Sequence, residues 1–338
     1  MLPPRWVRRV VLAPGVVLLT VGVLVTLPVL LVVAAVASPL LPGRWRALRV
    51  GWMVLLHLLI ESAALVALLV LWVSSGFGAR ITSPRFERAH YDVVRAYLGA
   101  MYSEARRVLH VDVAVEGPEP SHLSGRPLLV FSRHAGPGDS FLLVHALLSW
   151  YDREPRIVLK DTLQWDPAVD VLLNRLPNRF IRPGGGGGTG PVTELASDLE
   201  DDDALVIFPE GGNFTARRRA RSIARLREKG LVEEAEKAER MRHVLAPRPG
   251  GVVAALAAAR DADVVWVAHS GLDHLVSVAD VWRALPMDTA VRMRWWQVPA
   301  DDVPAGEAAQ VEWLYEWWAR IDGWIAEQHR VVHDRAAD

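Results

Sequence analysis

The feature that most limits what this chain can fold into is its beginning. No charged residue occurs from Val10 to Gly43, and residues 11–40 read VLAPGVVLLTVGVLVTLPVLLVVAAVASPL. About 20 apolar helical residues cross the hydrocarbon core of a bilayer, so this run can cross it with length left for tilt or a kink. Pro14 and Pro28 mark where a kink would fall, and proline is better tolerated in a membrane helix than in a soluble one. Arg5, Arg8 and Arg9 precede the run, as basic residues precede a cleaved signal peptide. The run is too long for an ordinary signal core, however, and a second one follows at about 51–75.

His57 and Glu61 interrupt that second run. A glutamate at such depth is costly unless it faces another helix, the headgroups or a cavity. The two runs therefore read as a pair of spanning helices or as a hairpin embedded in one leaflet. Arginines lie before the first run, between the runs (Arg44, Arg46, Arg49) and after the second (Arg80, Arg85, Arg88), so the positive-inside rule does not set the orientation.

The rest has the size of one catalytic domain, and the expected division is 1–80 for a membrane anchor and 81–335 for that domain. Residues 83–110 repeat apolar positions at helical spacing. From 127 onward short apolar runs alternate with helical stretches. Strands are expected at Leu128–Phe131, Arg156–Leu159, Arg179–Ile181, Ala204–Phe208, Val264–Ala268 and Ala290–Val298. Helices are expected at Asp139–Trp150, Pro167–Leu176, Thr193–Glu200 and Gly306–Glu327. Alternation of this kind predicts an α/β fold, a mixed sheet covered by helices. The charged stretch Arg217–Arg242 reads as a solvated surface helix, or as a basic face toward phosphates in its first half. The chain has no cysteine, which excludes disulfides, thiolate nucleophiles and cysteine-bound metals. Eleven histidines include no HExxH spacing, so no metal and no cofactor is expected. A formal net charge of -1 offers no field for nucleic acid.

Three expected strand ends carry polar groups. In LLVFSRHAGPGDSFLL (128–143) a strand gives way to a Gly-Pro-Gly turn and then a helix, bringing His134 and Asp139 to one junction. An imidazole can take a proton from a hydroxyl while a carboxylate fixes its tautomer and supports the imidazolium. A lone histidine beside a helix-capping aspartate would more often be an ordinary surface loop. Here, though, Phe180-Ile181-Arg182 ends a second strand and Phe208-Pro209-Glu210-Gly211 a third. Open α/β sheets place ligands at such strand ends.

In these blocks the chain resembles the glycerolipid acyltransferase family, the 1-acylglycerol-3-phosphate and lysophospholipid acyltransferases. Its histidine and aspartate with four residues between them match His134 and Asp139. Its apolar pair plus arginine match Phe180, Ile181 and Arg182, and its Phe-Pro-Glu-Gly matches 208–211. Its late proline matches Pro247, followed by Arg248. The resemblance covers about 125–270. It implies general-base catalysis by His134 with Asp139 as partner, direct attack of an acceptor hydroxyl on an acyl thioester, and an acceptor site involving Arg182, Glu210, Gly211, Pro247 and Arg248. It further implies an acyl-CoA or acyl carrier protein donor as co-substrate and a lysophospholipid acceptor, with 1-acyl-sn-glycerol-3-phosphate in front. Membrane lipids are the expected surroundings, at the bacterial inner membrane with the catalytic domain cytoplasmic, where such donors are made. The sequence departs from the pattern at Arg133, Pro137 and Gly212-Asn213, where the family usually has a small polar residue, a serine and a threonine followed by serine or arginine.

Other residues carry less. The glycines 184–188 lack the lysine of a phosphate loop and read as a flexible loop. Ser132 and Ser140 flank the histidine block without GxSxG, so a covalent acyl-enzyme is disfavoured. His269, Asp273 and His274 follow the strand at 264–268 and could line the site, with a local structural or solvent role as the favoured reading. The tryptophans at 295, 296, 313, 317 and 318 fit packing or a membrane interface equally well. Two rival functions stand beside the transferase: a lipid hydrolase with water as acceptor, and a non-catalytic lipid-binding protein. A different lipid or glycolipid acceptor is the third alternative.

Overall fold

The computed structural model describes the chain except residues 1, 41–44, 124, 183–187, 274–279, 281, 284–289 and 338. The glycines 184–187 and His274 therefore lie outside the described residues. In chain order the elements are α1 (Arg5–Ala37), α2 (Arg46–Ser74), α3 (Pro84–Leu109), β1 (Val113–Glu116), β2 (Leu128–Ser132), α4 (Pro137–Ser149), β3 (Glu154–Lys160), α5 (Pro167–Leu173), β4 (Arg179–Ile181) and α6 (Gly190–Ser197). They continue with β5 (Asp203–Ile207), α7 (Ala216–Glu228), α8 (Val232–Arg240), α9 (Pro249–Ala258), β6 (Asp263–Ser270), β7 (Val291–Val298) and α10 (Glu307–Ala337).

Two compact units divide the chain. The first comprises 1–112, 156–187 and 278–288, the second 113–155, 188–277 and 289–338. In the first, α1 and α2 are long and apolar enough to cross a membrane. The helix runs on through Pro28, and one wide π turn, Arg8–Leu12, comes just before Pro14. Thr20 on α1 is hydrogen-bonded to the Leu58 carbonyl and to Ser62 on α2. Arg8 does not flank the run as a solvated charge. It is buried, donating to Asp170 Oδ1 at 2.7 Å and Gln164 Oε1 at 3.0 Å.

Glu61 is buried on α2, where the sequence left its partner open. Its Oε1 accepts the Ala168 N–H at 2.9 Å, and Asp166 accepts the Val169 N–H at 2.9 Å. Both carboxylates thus occupy the N-terminus of α5, whose unpaired N–H groups and dipole favour negative charge. α3 starts with Pro84 at its first turn and stops at His110, in the left-handed region at φ 58°. β3 and β4 pair in parallel, Val158 opposite Arg179 and Lys160 opposite Ile181.

The second unit holds five strands in the order β1-β7-β6-β2-β5. β2 is parallel to both β5 and β6, β6 and β7 are antiparallel, and β1 is parallel to β7. Every residue of β2 and β6 is buried, as the apolar runs Leu128–Phe131 and Val264–Ala268 require of central strands. The tryptophans settle into packing. Trp266 of β6 stacks on Trp317 of α10 at 5.3 Å with 11° between planes, and Trp313 and Trp318 meet its ring edge-on.

Several elements differ from the sequence expectation. β1 and α9 are not among the expected elements: β1 is short and largely exposed, and α9 opens with Pro-Gly-Gly, a turn signature. Arg217–Arg242 is two helices, broken at Gly230, whose φ is +75°.

Candidate active site

The site is built at the end of β2. The Arg133 N–H still reaches the Val267 carbonyl at 3.1 Å, so the ladder with β6 holds up to the residue before His134. The chain then turns through extended Gly136 into α4, with a proline in the first turn. Asp139 is the third residue of that helix. Its Oδ2 turns back to accept the N–H groups of Ala135 (2.5 Å) and Gly136 (2.9 Å), and Ser140 donates to Oδ1 at 3.1 Å. These are donors that a helix start leaves free, so the turn folds around the carboxylate.

His134 Nδ1 lies 3.0 Å from Asp139 Oδ1 and 3.2 Å from Oδ2. A carboxylate only accepts, so Nδ1 carries the proton and Nε2 is the nitrogen with a free lone pair. The imidazole is 14% exposed, while Asp139 is buried at 3%. Burial alone would raise the Asp139 carboxyl, but hydrogen bonds from His134 and His269 outweigh it and hold the group well below the usual carboxylate range. The ring leans on Phe208, with centroids 4.6 Å apart.

Glu210 holds this residue from the next block. It is 2% exposed; Oε1 accepts the His134 N–H at 3.0 Å and Oε2 the Leu245 N–H at 2.9 Å. It therefore shapes the site through the backbone, tying the end of β2 to the segment before Pro247. Burial pushes its carboxyl up to about 8, against the pull of Arg133 and of the two N–H groups. The His134 carbonyl in turn accepts the Phe214 N–H at 2.8 Å. Gly211 has φ +64°, and a Cβ there would meet the Arg248 guanidinium at 2.8 Å. The Arg248 N–H donates to the Pro209 carbonyl at 2.8 Å, and Pro247 is buried beside it. His134, Asp139, Glu210, Gly211, Pro247 and Arg248 all belong to the second unit. Arg182 belongs to the first, where its side chain is 88% exposed and 3.8 Å from Asp161.

The departures from the family pattern have structural uses. Arg133 is buried; its guanidinium donates to the carbonyls of His269 (2.8 Å) and His243 (3.0 Å) and pairs with Asp273. Thr215 caps α7 by accepting the Arg218 N–H. The Arg219 guanidinium binds the carbonyls of Ala238, Glu239 and Met241, closing the end of α8. Arg218 donates to the Asn213 carbonyl and approaches Gly212. Ser132 donates to the Arg133 carbonyl and Ser140 to Asp139, so neither hydroxyl is bonded to the His134 ring. His269 carries more than local structure, since its Nε2 lies 3.3 Å from Asp139 Oδ2. The spacing of His269 from the first block gives no hint of this.

Among the described residues, one grouping has metal-ligating side chains close enough to hold an ion: His57, Glu61 and Asp166 of the first unit, within 4.8 Å of one another. Both carboxylates there already serve the start of α5, and His57 Nδ1 is bonded to the Tyr97 hydroxyl at 2.8 Å.

Residues 112–267 match the protein-family model described as acyltransferase. Curated proteins gave no match. Among solved structures, the 1-acyl-sn-glycerophosphate (LPA) acyltransferase PlsC from Thermotoga maritima is similar in fold. Its TM-score is 0.50 and its identity 17%, over 81% of this chain and 96% of that one. Residues 112–267 are thus similar to acyltransferases, on a mixed α/β fold like that of the Thermotoga maritima enzyme, with a pair of apolar helices ahead of them.

Proposed function

We propose that this protein is a membrane-anchored O-acyltransferase that moves a fatty acyl group from acyl-CoA or acyl carrier protein to the free hydroxyl of a lysophospholipid, with 1-acyl-sn-glycerol-3-phosphate as the leading acceptor. The observation that carries the reading is the His134–Asp139 pair, with Nδ1 committed to a buried carboxylate and Nε2 left as the base. Nε2 takes the acceptor's hydroxyl proton as that oxygen bonds to the thioester carbonyl carbon. The C–S bond then breaks, and the imidazolium returns the proton to the departing sulfur, giving an ester and a free thiol. Asp139 keeps the ring in its tautomer and offsets the positive charge that develops.

For the acceptor's phosphate the candidates are Arg182, exposed and capable of bidentate binding, and Arg248, whose guanidinium lies over Gly211. Glu210 and Pro247 shape the surroundings rather than supply charge. The apolar α1 and α2 support a place at the membrane, and the donor's origin favours a catalytic domain facing the cytoplasm.

The test is acyl transfer by the full chain in detergent or lipid, from radiolabelled acyl-CoA to a panel of lysolipids, beside His134→Ala. Acylated product that disappears in the variant supports the reading and names the acceptor. Free fatty acid without acceptor consumption would replace it with hydrolysis. No turnover with either acyl-CoA or acyl carrier protein would leave lipid binding without catalysis.

A further inference from the structure

Asp139 faces a second histidine. Beyond His134 Nδ1, the Ser140 hydroxyl and the N–H groups of Ala135 and Gly136, its carboxylate meets His269 Nε2, 3.3 Å from Oδ2. The same nitrogen lies 3.3 Å from the Arg133 carbonyl. Two acceptors around one ring nitrogen mean that the proton sits on Nε2 and is shared between them. The other nitrogen, Nδ1, is buried and has no hydrogen-bond partner. A bare lone pair tolerates that place better than an N–H would, since a buried unpaired donor carries a desolvation cost. Both ends of the residue thus agree on one tautomer.

The ring has little freedom to leave. His269 is 2% exposed on the central strand β6, and its own carbonyl accepts the Arg133 guanidinium at 2.8 Å. Arg133 is held in turn by Asp273, which accepts the Gly271 N–H at 3.1 Å and lies 3.3 Å from His329 Nε2. His269 and Arg133 are thus buried and joined by a hydrogen bond, and an ion pair joins Arg133 to Asp273.

We infer that His269 is a positioning residue for the proposed reaction: its Nε2–H fixes the Asp139 carboxylate, and through it the tautomer and ring orientation of His134. The inference rests on the acyl-transfer reading. It says that the apparatus for activating the hydroxyl is His134–Asp139–His269 and not a pair.

The experiment compares His269→Leu and His269→Gln with wild type and with His269→Leu in an Asp139→Asn background, by steady-state acyl transfer from the full chain in detergent. Loss of a hydrogen bond to a charged group predicts that the leucine variant loses about 10- to 100-fold in kcat while KM stays within about twofold. Glutamine keeps an N–H donor and should recover most of that loss. In the Asp139→Asn background the leucine substitution should cost nothing further, because its partner is already gone. Undiminished kcat in His269→Leu, no recovery in His269→Gln, or the full loss in the Asp139→Asn background would each overturn the inference. If the variants do not fold, nitrogen NMR of ring-labelled histidine in the wild-type chain decides, since protonation of His269 on Nδ1 instead of Nε2 would refute it. Inactive wild type would sink the functional reading, and the same NMR measurement would still test the contact with Asp139.

Discussion

Replacing Glu210 by glutamine keeps its shape and removes its ability to ionise, and the structure gives the consequence in two parts. Each carboxyl oxygen accepts one backbone N–H, from His134 and Leu245. Glutamine has one accepting oxygen, so its amide nitrogen confronts the other N–H and leaves it unpaired, at a cost of about 1–3 kcal/mol. The second part depends on pH. Burial raises the carboxyl from 4.5 to about 8 in the folded protein. The folded pKa exceeds the unfolded one, so the stability Glu210 contributes is complete below the unfolded value and is lost as pH rises through the folded one. At about 1.36 kcal/mol per pH unit, the loss across that window reaches at most roughly 5 kcal/mol. Glutamine has no such loss. The variant should therefore be less stable than wild type near pH 5, and the gap should close or reverse by pH 8. His145 and His243, whose pKa values burial lowers, tilt both curves the other way below the ordinary histidine value and cancel in the difference. Denaturant unfolding in detergent, followed by tryptophan fluorescence, reads the second unit through the cluster around Trp266. A stability difference that stays constant from pH 5 to pH 8 would refute the reasoning.

Three further outcomes are expected. Asp139→Asn should lower kcat by about 10²- to 10⁴-fold with the lysolipid found active, because general-base catalysis is worth that much and the ring would lose its fixed tautomer; equal turnover would remove Asp139 from the mechanism. Gly211→Ala forces a left-handed conformation at about 1–2 kcal/mol and drives a methyl into the Arg248 guanidinium, so melting should fall and acceptor KM should rise. An unchanged KM would separate Arg248 from acceptor binding. Arg8→Ala leaves the fully buried Asp170 with the partly exposed Arg9 as its one ionic partner among the described residues, and should destabilise the first unit by up to about 3–5 kcal/mol in an unfolding measurement. Unaltered stability would mean that Arg9 alone suffices.

Much of this architecture is legible from the residues alone, for a local reason. Strands such as β2 and β6 are built on the apolar runs Leu128–Phe131 and Val264–Ala268, and helices such as α3 carry their own start and stop signals. The pairing of His134 with Asp139 is likewise local, since five residues and one turn bring them together. What escapes the sequence is whatever register decides. His269 meets Asp139 because β6 lies beside β2 with Val267 opposite Ser132, a pairing that neither strand announces. Arg133 reads as an oddity of the motif until Asp273 is found beside it. Arg5, Arg8 and Arg9 look alike as a flanking cluster, yet one of them is buried against a partner far along the chain. α9 escapes because glycines in a first turn look like a loop until the apolar residues after them are buried.

The pairing of Arg8 with Asp170 also has a consequence in time. The two residues are 162 positions apart. At about 5–20 residues added per second, Asp170 follows Arg8 from the ribosome by roughly 8–30 s. Throughout that delay Arg8 lacks its folded-state partner and is served by water or lipid headgroups. Arg8 therefore reaches its final place only after α5 has been made, so the start of α1 settles later than its own place in the chain would suggest.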